Sequence, residues 1–271
     1  MNFRHFAAAK GRLAVLPTLV VLTLLVIIWE IAVQADTSPV RVIPAPSEIL
    51  AAGLRTRETL LTQHIPQTLL ETVIGLAMAL VLGLLVAALL DFAPLLKQAL
   101  YPLLVVSQTI PIVALAAVLI IAFGFGIWPK VIVVVLFCFF PIAVATIDGL
   151  AATDPDLVAL LRAMGASRGQ IWRKVRFPSA LPSFFSGLRI AATFSVTGAV
   201  VGEYITSQYG LGQYLRSALS QGRNDQAFVS IVITSLLSIG FVGLVTIIEL
   251  ITLPWFFTEA RESQWSEPGI Y

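Results

Sequence analysis

Four glutamates interrupt runs of sequence in which the neighbouring residues are mostly hydrophobic: Glu30, Glu71, Glu203 and Glu249. A carboxylate in such a setting costs free energy unless it is paired, so these side chains are the first candidates for binding chemistry. Glu203 follows Gly198-x3-Gly202, a spacing that allows helices to approach closely. Two interpretations of Glu203 stay open, since it either faces a polar path or subunit interface, or reaches a surface from near a helix end. We expect the other three glutamates to reach a surface or to pair helices.

Motifs of the common enzymes are missing from the sequence. It holds no Gly-x4-Gly-Lys-Ser/Thr phosphate loop, no Cys-x2-Cys pair and no His-Glu-x2-His. The two histidines, His5 and His64, fall in a tail and a loop. Cys138 is the only cysteine, so no disulfide can form within the chain, and we expect a small core side chain there. We therefore predict no catalytic residue, metal or cofactor in this chain, and any ATP chemistry must come from another chain.

The composition indicates that the chain lies in a bilayer. Of 271 residues, 58% are hydrophobic and 12% are charged, whereas water-soluble domains carry about 25% charged residues. The net charge of +2 is too small to indicate nucleic acid binding. A membrane-spanning helix needs about 20 mostly apolar residues. Six stretches qualify: Leu13–Val33, Pro66–Leu90, Leu100–Phe123, Ile127–Ile147, Phe184–Ile205 and Ala227–Leu253. The sequence thus predicts an all-α polytopic membrane protein with six transmembrane helices, the third and fourth kinked at Pro111 and Pro141.

The ends of the chain are predicted to be short tails. Residues 1–12 and 254–271 flank a six-span domain over 13–253. The first apolar run is longer than the roughly 7–15 residues of a signal-peptide core, so we expect an uncleaved helix.

Lysine and arginine in the loops predict the orientation. With the N-terminus inside, eleven of the 17 basic residues lie in cytoplasmic segments: Arg4, Lys10, Arg12, Lys97, Arg162, Arg168, Arg173, Lys174, Arg176, Arg189 and Arg261. The outer segments hold Arg41, Arg55, Arg57, Lys130, Arg216 and Arg223. We therefore predict a multi-pass protein of the plasma (inner) membrane with both termini in the cytoplasm.

Two predicted loops are long. The outer loop, Gln34–Ile65, contains Pro44-Ala-Pro-Ser47, where Ser47 is a candidate N-cap for a short surface helix. The inner loop, residues 148–183, is typical of two short helices joined by a glycine. Asp154 is the expected N-cap of the first helix, and Gly165 suits the left-handed residue that ends it.

The second helix of the inner loop is expected to begin and end at clear signals. Ser167-Arg-Gly-Gln170 has the spacing of a capping box, and Pro178 is expected to end the helix. Apolar residues of the first helix share one face: Leu157, Leu160, Leu161 and Met164. Such short helices are unstable alone in water, so we expect them to dock on a partner or, alternatively, to set their basic residues against anionic headgroups.

Residues 154–178 resemble the "EAA" loop of ABC importer permeases, whose pattern is E-A-A-x3-G-x9-I-x-L-P. Gly165, Val175, Phe177 and Pro178 match its later positions, while the acidic residue is missing because Ala159 stands in its place. The resemblance implies a type I ABC importer permease whose loop forms coupling helices in a groove of an ATPase subunit. The residues it places in that contact are Leu160, Leu161, Ala163, Met164, Gly165, Ala166, Ser167, Val175 and Pro178.

Motifs elsewhere resemble the nitrate, sulfonate and taurine branch of these permeases: Pro44-Ala-Pro-Ser-Glu48, Gln108-Thr-Ile-Pro111, Phe123-Gly-Phe-Gly126, Phe139-Phe-Pro141 and Gly187-Leu-Arg189. Within it, Gly198-Ala-Val-Val-Gly-Glu203 and Gly210-Leu-Gly212 look most like permeases for vitamins or their precursors, such as the thiamine pyrimidine or riboflavin. The resemblance implies a dimer with a second copy or a paralogue, two cytoplasmic ATPase subunits that bind ATP and Mg, and an extracytoplasmic solute-binding protein. A sulfonate, taurine or nitrate is the alternative cargo.

Alternating access is the mechanism that the resemblance implies. Ser107, Gln108 and Thr109 beside Pro111 offer uncharged polar groups at a kink, and with Glu203 and Tyr204 they are our candidates for the translocation path. Tyr204 is also an aromatic residue, and aromatic residues in membrane helices usually pack against other helices or lie at the membrane interface. An ion-coupled secondary transporter is the alternative of a different class, but the inverted repeats and charge relays of such proteins are not visible.

Overall fold

The computed structural model describes residues 4–36 and 42–256, and all regular structure in these ranges is helical. Two π-helical turns lie at Leu60–His64 and Trp172–Arg176. The α-helices are α1 (Arg4–Ala35), α2 (Pro46–Arg55), α3 (Arg57–Thr59), α4 (Ile65–Phe92), α5 (Pro94–Ser107), α6 (Ile112–Phe123), α7 (Ile127–Ala151), α8 (Pro155–Ala163), α9 (Arg168–Ile171), α10 (Phe177–Thr206), α11 (Leu211–Ser220) and α12 (Asn224–Thr252). The predicted all-α class is confirmed.

Within the described ranges, five helical segments are long and apolar enough to cross a membrane. The third predicted span is the exception, since it is sharply broken rather than kinked. The axes of α5 and α6 differ by 91°, and Pro111 stands at the break, where it removes a backbone donor and disfavours helix in the residue before it. Counted as one span, this bent pair is the sixth. Pro141, by contrast, lies within the continuous helix α7.

Helix α7 forms the centre of the bundle, packed between α4 and α10. Small residues let the backbones approach closely. A Cβ atom on Gly187 of α10 would lie 2.4 Å from the carbonyl oxygen of Pro141, and one on Gly75 of α4 would lie 2.5 Å from the Cβ of Val134. Cys138 is buried at this seam, with its sulfur 3.4 Å from a carbonyl oxygen of α10, in keeping with the expected small core side chain.

The inner loop differs from the prediction because a π-helical turn joins it to α10. We expected Pro178 to end a helix, but residues 168–205 form one continuous helical segment. The amide of Phe177 donates to the carbonyl of Trp172, five residues back, which places Pro178 in the first turn of α10, where its missing N–H is not needed. The inner loop is therefore shorter than predicted and covers residues 152–176.

Helix α2 begins differently from the prediction. Its N-cap is Ala45, whose N–H donates to Glu48 Oε2 at 2.9 Å, so the prediction that Ser47 caps the helix is wrong. Ser47 instead donates from its hydroxyl (2.6 Å) and its N–H (3.0 Å) to the carboxylate of Glu30 on α1. Glu30 thus ties the first helix to α2.

The bundle has two distinct ends, which we call the α11 end and the loop end. At the α11 end, α11 packs on α10 and α12, and α2 packs on α12. At the loop end, residues 152–176 connect the last turn of α7 to the first turn of α10. The two candidate functional regions lie at these opposite ends.

Candidate functional site

The helices of the inner loop are capped as predicted. The Asp154 carboxylate accepts a hydrogen bond from the N–H of Asp156 at 2.8 Å. Gln170 Oε1 accepts from the N–H of Ser167 at 2.8 Å, and the N–H of Gln170 donates to the Ser167 hydroxyl at 3.3 Å. These side chains satisfy amides that a helix start leaves unpaired, so two very short helices hold a defined shape.

Gly165 sits between these helices in the left-handed conformation, with φ of +82°. A Cβ atom there would meet nothing within 4 Å. The position therefore needs glycine for its backbone angle and not for space. The N–H of Ala166 closes the turn by donating to the carbonyl of Leu161 at 3.0 Å.

The first loop helix leaves apolar side chains uncovered. Leu160 is 57% exposed and Met164 is 74% exposed. Of the other residues predicted to contact an ATPase, Ala163, Gly165 and Ser167 are exposed, whereas Leu161, Ala166, Val175 and Pro178 are half-buried. We call Leu157, Leu160 and Met164 the apolar loop face.

The loop is firmly joined to the bundle behind it. Arg176 forms an ion pair with Asp91 at the end of α4 (2.9 Å) and donates to the carbonyl of Leu150 at the end of α7 (3.0 Å). The ring of Trp172 lies 5.6 Å from that of Phe92 and 5.1 Å from that of Phe177. A displacement of the loop would therefore act on three membrane helices together.

Glu203 is completely buried at the α11 end. Its Oε1 accepts a hydrogen bond from the Thr68 hydroxyl at 2.7 Å, and its Oε2 accepts from the N–H of Gly212 at 2.8 Å. In this conformation the carboxylate does not reach a surface, which was one of the two interpretations left open. Its role on the translocation path stays a prediction.

Glu71 and Lys130 form a second buried part of the same site. Lys130 Nζ lies 2.8 Å from Glu71 Oε1 and donates to the Ser207 hydroxyl at 3.0 Å. Gln67 also donates to Glu71 Oε1, at 2.7 Å. Both Glu71 and Lys130 interact electrostatically with Glu203. We call Glu71, Lys130 and Glu203 the buried charge cluster; it joins α4, α7 and α10.

The turn between α10 and α11 is built around Glu203. Gly210 has φ of +109°, and a Cβ there would lie 2.2 Å from Glu203 Cδ. A Cβ on Gly212 would lie 2.1 Å from the carbonyl oxygen of Val200. Arg216 of α11 donates to two carbonyls of α10 and the turn at 3.0 and 3.1 Å. Only glycine fits at the two positions, because the carboxylate and the α10 backbone occupy the space.

A cleft of about 400 Å³ opens beside the buried charge cluster. Residues of α4, α7 and the turns before α7 and after α10 line it, among them Gln67, Phe125, Lys130, Ser207, Gln208 and Tyr209. Sequence reasoning placed Lys130 among outer-loop charges, although it lies in the first turn of α7 and is buried. Its position inside the apolar run from Ile127 was a signal that could have identified it.

Four of the other predicted path residues lie at the break between α5 and α6: Ser107, Gln108, Thr109 and Pro111. The hydroxyls of Ser107 and Thr109 donate to backbone carbonyls three residues earlier, at 2.7 and 2.8 Å. Gln108, Thr109 and Pro111 are exposed, as is Tyr204 on α10. Among the described residues, no hydrogen bond or ion pair joins this group to the buried charge cluster.

A further glutamate and one tyrosine also have clear structural partners. Glu249 of α12 forms an ion pair with Arg189 of α10 at 3.0 Å, so it pairs helices, as does Glu71. Outside the spans, Tyr214 of α11 donates to the Thr56 hydroxyl at 2.9 Å, and burial raises the pKa of this tyrosine. No cluster of three histidine, cysteine or acidic residues suited to a metal occurs in the described part of the chain.

Comparison with known proteins gives one consistent result. Residues 79–252 match the family model described as "Binding-protein-dependent transport system inner membrane component". The formylaminopyrimidine transport permease protein ThiX of Halalkalibacterium halodurans is 42% identical over 88% of this chain and 95% of its own length. The riboflavin transport system permease protein RibX of Chloroflexus aurantiacus is 32% identical over 87% and 88%. A structure of the MetNI methionine ABC transporter in inward-facing conformations matches with a TM-score of 0.58 at 21% identity, covering 71% of this chain and 97% of that one.

Proposed function

This chain belongs to the binding-protein-dependent transport system inner membrane components, and we propose that it imports a small heterocyclic vitamin or vitamin precursor. It is an integral membrane permease subunit of an ABC importer, a transport subunit and not an enzyme.

The observation that carries the proposal is the apolar loop face. Leu160 and Met164 present bare hydrocarbon at the loop end, where contact with a partner would remove it from water. The loop is held to α4 and α7 by Arg176. These features support docking of an ATPase subunit on residues 155–167, with ATP and Mg bound by that subunit and its movement passed to the spans.

The orientation follows from the charge distribution. The loop end carries five basic residues, Arg162, Arg168, Arg173, Lys174 and Arg176, which supports a cytoplasmic loop and cytoplasmic termini in the plasma (inner) membrane. The α11 end then faces outward, where a solute-binding protein would deliver cargo. Two copies of this chain, or one with a paralogue, would enclose the path and carry two ATPase subunits.

Transport would proceed by alternating access. The bend at Ser107–Pro111 exposes uncharged polar groups between α5 and α6, and Tyr204 is exposed on α10. We assign these residues to the path wall, with buried Glu203 holding the wall at the α11 end. A break in a helix supplies backbone groups for a solute only where it lines a cavity.

The cargo proposal is supported by the relatives. ThiX is named as a formylaminopyrimidine permease and RibX as a riboflavin permease, and both cargoes are planar nitrogen heterocycles. Sulfonate, taurine or nitrate is the second candidate, because the sequence motifs also resemble permeases of that branch.

The test is uptake into proteoliposomes that contain this chain, its ATPase and its binding protein. The panel comprises a formylaminopyrimidine, riboflavin, taurine and an alkanesulfonate. We expect ATP-dependent accumulation of one heterocycle and none of the sulfonates. Accumulation of taurine or the sulfonate would leave the importer in place and refute the vitamin assignment. Uptake without ATP would refute the ABC mechanism in favour of an ion-coupled transporter.

A further inference from the structure

A small pocket at the loop end lies between the loop helices and the end of α4. Its volume is about 160 Å³, which has room for a few water-sized groups but is below the roughly 300–1,000 Å³ of pockets that enclose a drug-sized ligand. The pocket is therefore suited to a small group and not to a whole metabolite. Charged and aromatic side chains make up most of its lining: Asp91, Phe92, Arg162, Arg168, Trp172 and Arg176.

The lining of this pocket carries an excess of positive charge. Arg176 and Asp91 form an ion pair at 2.9 Å, so their charges offset each other. Arg162 and Arg168 are exposed, and neither side chain has a hydrogen bond or ion pair with any described residue. Asp91 is the only acidic residue in the described lining. Two guanidinium groups are therefore available to an anion, and their planar arrangement of donors matches the geometry of phosphate.

A neutral donor of the pocket also lacks a partner. The indole Nε1 of Trp172 is buried and has no hydrogen-bond acceptor among the described residues. An indole N–H can only donate, and a buried donor without an acceptor is unfavourable. An acceptor oxygen bound in the pocket beside this ring would satisfy the donor. This observation is independent of the arginines and also indicates a ligand with several oxygen atoms.

The pocket lies where a membrane span ends. Phe92 is the last residue of α4, and the segment Arg57–Phe92 is long and apolar enough to cross a membrane. The rings of Phe92 and Trp172 lie 5.6 Å apart, and tryptophan is enriched at the level of the lipid headgroups. Basic pockets at this level are typical sites for anionic headgroups. The position therefore favours a phosphate that belongs to a lipid.

The pocket and the apolar loop face lie on different sides of α8. Val158 and Arg162 line the pocket and are separated by about one helical turn. A rotation of about 100° per residue places the apolar loop face on nearly the opposite side of the helix. An ATPase subunit bound to that face would leave the pocket accessible to a headgroup. Docking on a partner and contact with anionic headgroups, the two alternatives that the sequence left open for the loop, are thus compatible.

We infer that this pocket binds the phosphate of an anionic phospholipid, held by Arg162 and Arg168 and by the N–H of Trp172. The acyl chains would extend along the start of α5, where Leu95 is 83% exposed. A bound lipid would join α8 and α9 to the end of α4 and so strengthen the connection between the loop and the bundle. The inference goes beyond the proposed function, since it depends neither on the cargo nor on ATP.

The test is native mass spectrometry of the permease–ATPase complex in detergent, titrated with dioleoylphosphatidylglycerol. Dioleoylphosphatidylcholine has the same chains without net charge, and glycerol 3-phosphate has an anionic phosphate without chains. The main variant is Arg162→Gln combined with Arg168→Gln. Its matched control is Arg173→Gln combined with Lys174→Gln, which removes two exposed charges of the same loop that do not line the pocket. Trp172→Phe keeps an aromatic ring and removes only the indole N–H.

We expect the wild type to bind phosphatidylglycerol at least about tenfold more tightly than either phosphatidylcholine or glycerol 3-phosphate. The arginine variant should weaken phosphatidylglycerol binding at least about tenfold, because two charged contacts are lost. Trp172→Phe should weaken it about fivefold through the loss of one hydrogen bond to a charged group. The loop control should leave the affinity unchanged.

Three results would overturn the inference: no binding of phosphatidylglycerol, equal binding of the two phospholipids, or equal weakening by the arginine variant and its control. Equally tight binding of glycerol 3-phosphate would assign the pocket to a soluble phosphate and refute the lipid. Unchanged lipid affinity with loss of the ATPase from the arginine variant would assign the arginines to the ATPase contact instead.

Trp172→Phe decides if the arginine variant does not assemble, and an unchanged lipid affinity in Trp172→Phe would then overturn the inference. ATP-dependent uptake by the wild type tests the proposed function separately. Intact uptake alongside a failed lipid test would refute the lipid site alone.

Discussion

At the scale of single residues, a buried carboxylate determines which residues its neighbours can be. Glu203 is held by Thr68 and by the N–H of Gly212, and its side chain fills the space where a Cβ of Gly210 would lie. The packing around Glu203 therefore requires glycine seven and nine positions later, at Gly210 and Gly212. Loss of either hydrogen bond would leave a buried oxygen unsatisfied, at a cost of about 1–3 kcal/mol.

Gly165 permits a residue-scale prediction about the loop. Gly165→Val should reduce ATP-dependent uptake at least tenfold, because a β-branched residue strongly disfavours the left-handed angle found there. Gly165→Asn is the matched control, since asparagine tolerates this conformation and the site has room for a side chain. Uptake in proteoliposomes and the amount of copurified ATPase are the measurements. Wild-type uptake by the valine variant would show that the loop does not need this backbone angle.

At the scale of elements, two helices of the bundle begin in the same way. The turns Leu60–His64 and Trp172–Arg176 are both π-helical, and each is followed by a proline two residues later, Pro66 and Pro178. In each case the residue before the proline donates its N–H to a carbonyl five residues back. The wider turn lets a helix continue across a residue that has no N–H. The arrangement makes α10 continuous with the loop, which favours transmission of movement.

Close packing of α7 gives a prediction at the same scale. Gly187→Ala should lower the free energy of unfolding by about 1–3 kcal/mol, because the new methyl group overlaps the Pro141 carbonyl oxygen on α7. Gly243→Ala on α12 is the control: nothing lies within 4 Å of its added Cβ, and alanine favours a helix over glycine by about 0.5–1 kcal/mol. Thermal unfolding of the purified protein in detergent measures both. Equal midpoints for the two variants would contradict the packing argument.

At the scale of the whole molecule, the two ends of the bundle present different surfaces. The loop end presents an apolar face held to three helices by Arg176 and Trp172. The α11 end presents a polar cleft above buried charges. Helices α4, α7 and α10 contribute to both ends, so a rigid-body movement of these helices would couple them. This arrangement supports the proposal that an ATPase docks at the loop end and that cargo enters at the α11 end.

The apolar loop face supplies the prediction for the assembly. Met164→Asp should reduce copurification of the ATPase subunit at least tenfold, because a charge placed in an apolar contact must be desolvated without a partner. Gln221→Asp at the opposite end is the control and should leave copurification unchanged. Both variants are compared at equal amounts of membrane-inserted protein. An undiminished ATPase yield with Met164→Asp would place the ATPase contact away from this face.

The amino-acid sequence was enough to predict the helical class, the apolar spans apart from the sharp break in the third, and the caps of the two loop helices. Apolar runs long enough to span a membrane, and N-caps such as Asp154 and Ser167, can be predicted because their stability depends on residues close to them in sequence. The position of the bend at Pro111 was predicted correctly, but its sharpness was not. The family, too, was recognisable from motifs, because spacing in the loop is a local property.

The partners of the buried glutamates and the position of the cleft became known only from the folded structure. Thr68 and Glu203 are 135 positions apart, and Lys130 meets Ser207 across 77. No periodicity predicts such pairings, because they depend on how three helices approach one another. The continuation of the helix through Pro178 was missed for a related reason. π-Helical turns are rare, and this one is held by contacts of Trp172 and Arg176 with α4 and α7. Local sequence determines where the helices form. Their packing is restricted by the free-energy cost of leaving a charged side chain unpaired inside the bundle.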